Sequence, residues 1–236
     1  TSPYAPVSRR LWNESYLDLR AIDGIDPGVI DQAPETPGPN ADLVALAART
    51  RAALTPPAEA AAADPALGRW LTAHPDVTAY ARFRAKVEGG GEASVRYHQF
   101  AQWCCDVQLT ALAAELRGRG QSLFLDFPIG SHREGFDVEH EGARFVRDAS
   151  VGAPPDAFYA TGQDWGFPPI DPHAARLDGH AYLRACLDAH FRFAQVLRID
   201  HVMGLHRLWF IPPGAAASAG AYVRYAGEEQ WAALCI

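Results

Sequence analysis

The stretch QVLRIDH, residues 195–201, places a short apolar run directly before an arginine, an aspartate and a histidine. An amphipathic pattern over residues 180–194 predicts a helix ahead of this strand. The arrangement occurs twice, because a helix predicted over residues 97–117 leads into SLFLDFPIG at residues 122–130. Short apolar strands linked through helices predict a parallel sheet. Each strand carries an aspartate near its C-terminal end, where β/α barrels and doubly wound sheets keep their functional side chains.

No glycine-rich phosphate loop follows these strands, which favours a barrel over a nucleotide-binding sheet. The sequence therefore predicts an α/β fold. We expect residues 1–20 to form an irregular barrel loop and residues 21–96 to form a mainly helical insertion. Residues 97–236 are expected to hold the βα units of the barrel.

Within the expected insertion, alanine-rich sequence predicts a helix from Asp42 to Leu54. Pro56 and Pro57 are predicted to end that helix, because proline lacks the backbone donor that a helix interior needs. Two further helices are predicted on either side of Pro75. None of these helices carries an obvious chemical group, so we expect this region to be structural.

The composition limits the possible partners. The net charge of −7 and the isoelectric point near 5.7 argue against a nucleic acid or an anionic membrane, both of which favour a basic surface. Four cysteines without zinc or disulfide spacing indicate a reducing, cytoplasmic compartment. No apolar run approaches the roughly 20 residues of a membrane span. His201 and His206 lack a second pair at ligand spacing, so neither a metal nor another cofactor is expected.

The aspartate of the opening stretch is the first candidate for catalysis. Arg198 and Asp200 are two residues apart on a strand and therefore point to the same face. An arginine that close favours the ionised carboxylate, which is the form that a nucleophile needs. His201 adds a donor suited to a ligand rich in hydroxyl groups. The alternative is a helix cap or a buried ion pair, which explains the charges but not their gathering at a strand end.

Two other regions could contribute to the same site. Asp126 follows the apolar letters SLFL and could grip sugar hydroxyls, although it could also form a turn before Pro128. Residues 150–172 show neither a helical nor a strand period, and a loop of this length is usually functional. Trp165 offers a flat apolar face and Gln163 offers hydrogen bonds, a mixture that suits pyranose rings. The alternative is a proline-stiffened surface loop. His132 and Arg133, which follow Asp126 in sequence, could join the same site but are expected to be a solvated pair in a loop.

Six ordered motifs resemble the 4-α-glucanotransferases of glycoside hydrolase family 77. They are SPYAPVSRRLWNESYLDL, YHQFAQWCCDVQL, LDFPIGSHREGFDV, SVGAPPDAFYATGQDWGFPP, LRIDHVMGLHRLWFIP and GAYVRY. The resemblance covers the chain apart from the alanine-rich region near residues 40–90. It implies part of a (β/α)8 TIM barrel with helical insertions, and transfer of α-1,4-glucan segments between maltooligosaccharides.

The resemblance also implies roles for particular residues. Asp200 would be the nucleophile of a retaining double displacement, and Arg198 would orient it and keep it charged. His201 and Asp126 would bind hydroxyls of the sugar beside the cleaved bond. Three further residues would line the sugar path: Gln163 and Trp165 in a covering loop on the acceptor side, and Tyr4 in the SPY motif.

The sequence departs from the family in one respect. The family carries its proton donor in a GEDLG strand and a third carboxylate in an HD motif, and neither motif occurs in these 236 residues. We therefore expect this segment alone to be inactive and its parent protein to be active. Two alternatives are an α-amylase-type hydrolase and a non-catalytic α-glucan-binding protein.

Overall fold

The computed structural model describes residues 3–31 and 43–235. The chain divides into two compact units. One, the helical unit, spans residues 11–119, and the other, the mixed unit, joins the residues up to Arg10 to those from Gly120 onward. The boundaries expected from the sequence lay instead at residues 20 and 96. They differ because the long helix containing residues 97–117 packs with the other helices rather than with the strands.

The helical unit is an assembly of helices packed through buried apolar side chains. Leu54 and Ala58 of its second helix are buried together with Tyr97 and Phe100 of its last helix. Across residues 3–31 and 43–235, no helix combines the length and apolar character that a membrane crossing requires. The described helices of this unit are α1 (Pro27–Asp31), α2 (Leu43–Ala60), α3 (Pro65–Ala73), α4 (Pro75–Val87) and α5 (Glu92–Gly118).

Helix α2 corrects one prediction. It runs through Pro56 and Pro57 to Ala60 instead of ending before them, while Asp42, its predicted start, lies outside the described residues. Pro57 and Ala58 are buried and continue the apolar face that begins with Leu54. Tertiary packing of this face outweighs the hydrogen bonds that two prolines remove, since helices in proteins are stabilised mainly by such packing.

Glu88 follows α4 and is the centre of a polar network in the helical unit. Its carboxylate accepts hydrogen bonds from Arg84 at 3.0 Å, from Ser94 at 3.1 Å and from Arg51. The Nε2 atom of His98 lies 3.0 Å from the same carboxylate. Burial by itself would raise the pKa of Glu88. The hydrogen bond with His98 and the charges of Arg84 and Arg51 outweigh burial and lower this pKa to about 2.

This lowered pKa predicts a defined pH dependence of stability. The ordinary pKa of the group is 4.5, so its stabilisation is fully present above that pH and is lost as the pH falls toward about 2. We expect Glu88→Gln to lower the free energy of unfolding at pH 7. The difference from the unmodified protein should shrink below pH 4.5, as measured by urea unfolding at successive pH values. The exposed Glu59→Gln serves as control, and a difference that is constant with pH would contradict the assignment.

The mixed unit contains two sheets. In the first, β1 (Phe124–Phe127) pairs in parallel with β4 (Val196–Ile199), and Asp126 lies opposite Arg198 in the register. The parallel pairing confirms the sequence prediction, with α8 (Ala181–Phe191) leading into β4 as expected. No closed barrel forms within residues 3–31 and 43–235. The elements are β1 (Phe124–Phe127), α6 (Phe136–Glu141), β2 (Ser150–Ala153), β3 (Gln163–Asp164), α7 (Pro172–Leu177), α8 (Ala181–Phe191), β4 (Val196–Ile199), β5 (Arg207–Ile211), β6 (Ala221–Arg224) and α9 (Gly227–Leu234).

The second sheet was not predicted. It is antiparallel, with the strand order β3-β2-β5-β6, and its first two strands lie in the stretch 150–172 that the sequence suggested was loop throughout. Gly152 makes this pairing possible, because a Cβ there would lie 2.0 Å from the carbonyl oxygen of Gln163. The remainder of residues 150–172 is irregular, and we keep the name covering loop for this whole stretch.

The two-stranded sheet has one covered and one open face. Phe127 is buried, and it packs with Leu197 and Ile199 against Tyr182 and Cys186 of α8. The opposite face carries Phe124, Val196, Asp126 and Arg198, which are all exposed. Strand alternation therefore places the charged pair on the open face of the sheet.

Asp137 is the most heavily bonded buried carboxylate of the mixed unit and has no exposed surface. Its Oδ1 accepts a hydrogen bond from the hydroxyl of Ser8 at 2.6 Å. Its Oδ2 accepts from the backbone N–H of Arg9 at 2.7 Å, from the hydroxyl of Tyr182 at 2.7 Å and from that of Ser131 at 3.2 Å. These donors belong to the N-terminal segment, to α8 and to the loop after β1, so one carboxylate joins three parts of the unit.

Removing this acceptor leaves buried donors without partners, which costs more than a single hydrogen bond contributes. We expect Asp137→Ala to lower the free energy of unfolding by about 2–4 kcal/mol, measured by urea denaturation. The exposed Asp148→Ala should change it by less than about 0.5 kcal/mol. Equal effects of the two substitutions would show that the network around Asp137 contributes little to folding.

Candidate functional site

The candidate site is built on the C-terminal ends of β1 and β4. The guanidinium of Arg198 donates through Nη1 to Oδ1 of Asp126 at 2.9 Å and through Nη2 to Oδ1 of Asp200 at 2.8 Å. One side chain thus bridges two carboxylates, one from the neighbouring strand and one from its own. Arg198 and Asp200 lie side by side, as strand alternation predicts, but the ion pair is not buried. The side chains of Asp126, Arg198 and Asp200 are 63%, 49% and 42% exposed.

The bridge also fixes the charge of the arginine. The hydrogen bond to Asp126 and the negative charge of Asp200 raise the pKa of Arg198 above its ordinary value. A permanent cation between two carboxylates reduces their mutual repulsion and holds both at one strand end. Two carboxylates and one guanidinium are therefore accessible to solvent at this end of the sheet.

His201 continues the site toward the covering loop. Its backbone lies in the left-handed region, with φ of 48°, so the chain turns sharply directly after Asp200. The ring of Trp165 meets the ring of His201 edge to face, with centroids 5.0 Å apart. Burial lowers the pKa of His201, and the nearby charge of Asp200 opposes this effect only in part. The lowered pKa favours the neutral imidazole, which can donate one hydrogen bond and accept another.

The covering loop brings its polar and aromatic groups together. The indole Nε1 of Trp165 donates to Oε1 of Gln163 at 3.1 Å. Trp165 also stacks with Phe167, whose ring is buried. The two predicted loop residues are thus in mutual contact, and Trp165 reaches the site through His201.

Tyr4 is held near the same strand end by its backbone. Its carbonyl accepts a hydrogen bond from the N–H of Gly130, in the loop that follows β1, at 3.2 Å. Its side chain is exposed. The N–H of His132 likewise donates to the carbonyl of Pro6 at 2.9 Å, so the N-terminal segment runs alongside the loop after β1.

A cavity opens next to the nucleophile candidate. Asp200 and His201 belong to its lining, whereas Asp126, Arg198 and Trp165 do not. Much of the lining is apolar. Phe127 and Ile199 come from the covered side of the two-stranded sheet, Tyr182 and Leu183 from α8, and Leu205 and Leu208 from the segment after β4 and from β5. Asp126 and Arg198 therefore lie on the open face of the sheet, whereas Asp200 and His201, just beyond β4, reach this cavity. Within the described parts of the chain, no three His, Cys, Asp or Glu side chains cluster as metal ligands.

Two features of the site escaped the sequence analysis. Phe158 and Tyr159 project from the tip of the covering loop, and Phe158 is 91% exposed. Both backbone N–H groups donate to Oδ1 of Asp156, a turn whose signal was the Pro-Pro-Asp sequence before them. The other is Arg133, which is exposed, as expected, and also donates to two backbone carbonyls before the covering loop and to one within it. No periodicity signals such a contact.

The geometry defines a class of protein before any comparison. Carboxylates and a guanidinium at the C-terminal ends of adjacent parallel strands, beside a loop with exposed aromatic rings, are typical of β/α-barrel enzymes. The comparisons then give the family. The model of the 4-alpha-glucanotransferase family, glycoside hydrolase family 77, matches residues 63–236, and the chain belongs to this family.

Related proteins agree with this assignment. A 4-alpha-glucanotransferase from Haemophilus influenzae is 39% identical over 144 residues, which cover 60% of this chain and 21% of that protein. One from Mycobacterium tuberculosis is 31% identical over 269 residues, covering 95% of this chain and 37% of that protein. The chain thus spans well under half of the length of these two relatives.

Solved structures agree on the fold. Amylomaltase from Corynebacterium glutamicum superposes with a TM-score of 0.81 at 25% identity, over 99% of this chain and 37% of that one. Amylomaltase from Streptococcus agalactiae in complex with acarbose gives a TM-score of 0.87 at 21% identity, over 99% of this chain and 56% of that one. The predicted fold class, a partial α/β barrel with helical insertion, is confirmed by these likenesses.

The contact between Trp165 and His201 can be tested by NMR titration of the imidazole. Burial lowers the pKa of His201 and Asp200 opposes this, so the two partners should act in opposite directions. We expect Trp165→Ala to raise the pKa of His201 toward its ordinary value, and Asp200→Asn to lower it further. The exposed Trp231→Ala should leave it unchanged. Shifts of the same sign in both variants would contradict this environment.

Proposed function

We propose that the protein containing this chain is a 4-α-glucanotransferase, which transfers α-1,4-glucan segments between maltooligosaccharides. The observation that carries the proposal is the bridge from Arg198 to Asp126 and Asp200 at the ends of two parallel strands. In a chain of this family, such a bridge supplies an ionised carboxylate beside a second group able to hold sugar hydroxyls. Because the chain spans only part of its relatives, the activity is proposed for the whole protein.

Asp200 acts as the nucleophile of a retaining double displacement. Its carboxylate attacks the anomeric carbon, the glycosidic bond breaks, and a glucosyl ester forms. Arg198 holds one oxygen of Asp200 through Nη2, which orients the carboxylate for attack. The general acid is assigned to the GEDLG motif of the family, which these 236 residues do not include.

The remaining site residues bind the sugars. Asp126 and His201 hydrogen-bond the hydroxyls of the glucose unit at the cleaved bond. Gln163 and Trp165 lie over the acceptor side, and Tyr4 lines the path of the chain. Transfer requires that a sugar hydroxyl reach the ester before water does, and an aromatic loop favours this by positioning the acceptor and excluding water.

We also propose an assignment of the two units. The mixed unit supplies barrel strands, since β1 and β4 are parallel and each follows a helix. The helical unit is the insertion, and it carries none of the proposed site residues. The proposed partners are maltooligosaccharides and α-1,4-glucans. A cytoplasmic location is supported by four cysteines that are all free.

Incubation of the full-length protein with maltotriose tests the function. We expect glucose and longer oligomers to appear while the total number of reducing ends stays constant. Asp200→Asn should reduce the rate by at least about 1,000-fold, because the nucleophile is lost. Arg198→Lys should reduce it by about 10- to 100-fold, because a lysine cannot bridge two carboxylates with a planar fork.

The exposed Asp148→Asn is the matched control and should retain full activity. A steady rise in reducing ends without longer products would identify an α-amylase-type hydrolase instead. Binding of maltooligosaccharides without turnover, unaffected by Asp200→Asn, would identify a glucan-binding protein. Full activity of Asp200→Asn would remove the assigned nucleophile.

A further inference from the structure

Arg133 lies in the loop after β1 and has all three of its guanidinium nitrogens bonded to backbone carbonyls. Nε donates to Gly166 at 3.2 Å, Nη1 to Arg147 at 2.6 Å and Nη2 to Ala149 at 2.8 Å. The residue is exposed, so this arrangement does not serve to bury a charge. Its effect is to connect pieces of chain that are distant in sequence.

Two of the acceptors precede the covering loop, and the third lies within it. Arg147 and Ala149 come immediately before its first residue, Ser150, and Gly166 directly follows Trp165. One planar fork therefore holds the entrance of the loop and its aromatic segment in one place. Only a guanidinium offers donors in three directions from a rigid plane, and an ammonium group in the same position cannot reach all three carbonyls.

A second contact reinforces the connection. The ring of Phe167 lies against the backbone of Gly130, where an added Cβ would be only 2.2 Å from it. The loop after β1 thus meets the covering loop at both Gly130 and Arg133. On the other side of this segment, the ring of Trp165 touches His201, which follows Asp200. Arg133 does not contact Asp200. It is connected to it through its hydrogen bond to Gly166, next to Trp165, and through the contact of Trp165 with His201, next to Asp200.

We propose that Arg133 is a positioning residue that sets the choice between a sugar and water as acceptor. The inference rests on the proposed function and concerns its second step, in which the glucosyl ester on Asp200 is broken down. In that step, an oxygen nucleophile attacks the anomeric carbon, the bond to the Asp200 carboxylate breaks, and the proton of the nucleophile returns to the general base. By fixing Trp165 over the acceptor side, Arg133 favours attack by the 4-hydroxyl of a sugar over attack by water.

The test uses the full-length protein with maltotriose and measures two quantities. Longer oligomers report transfer, and the net rise in reducing ends reports hydrolysis, since only hydrolysis adds an end. We expect Arg133→Ala and Arg133→Lys to raise the ratio of hydrolysis to transfer several-fold. Lysine keeps the positive charge but lacks the planar guanidinium, so a raised ratio in Arg133→Lys shows that the guanidinium geometry is required. Arg224→Lys, at an exposed arginine of β6, should keep the ratio of the unmodified protein.

Two results would overturn the proposal. The first is an unchanged ratio in Arg133→Lys, and the second is an equal fall of both rates in every Arg133 variant, as a merely structural role would give. Amide hydrogen exchange tests the hold on the covering loop independently of any activity. In Arg133→Lys, the N–H of Trp165, which donates to Val151, should exchange faster. If the unmodified protein transfers no glucan, the proposed function fails with this inference; transfer with an unaltered ratio removes the inference alone.

Discussion

The parallel pairing that sets Asp126 opposite Arg198 is the constraint on which the site depends. Strand alternation then sends both side chains to the open face, and the residue two positions later, Asp200, joins them. A shift of one residue in this register would turn the guanidinium toward the apolar side of the sheet. Phe127 prevents such a shift, because its packing against Tyr182 of α8 requires the observed face. An apolar core on one side of the sheet therefore holds the charged cluster on the other.

The parts of the fold that follow from local pattern could be predicted. The helix before β4, the apolar strand itself and the aspartate at its end each have a signal within a few residues. The charged group at the site was predictable for the same reason, since Arg198 and Asp200 are close in sequence. Asp126 lies 72 residues from Arg198. Its place in the site could be predicted only by assuming that the two strands are neighbours in the sheet.

Other features have no local signal. Strand β3 contains only Gln163 and Asp164, which is too short for any alternation to appear, and it exists because β2 is there to pair with it. Helix α2 continues through Pro56 and Pro57 because buried neighbours stabilise it, and local propensity points the other way. Arg133 binds three carbonyls whose positions depend on the whole loop. In each case the deciding partner is distant along the chain.

The backbone of His201 has a consequence for how this site can vary among descendants of the gene. A residue with φ of 48° adopts a conformation that asparagine and glycine accept readily and that valine or isoleucine accept only with strain. The position therefore admits few replacements on conformational grounds alone, before any demand of chemistry is considered. The backbone conformation thus restricts which residues can follow Asp200 at this turn.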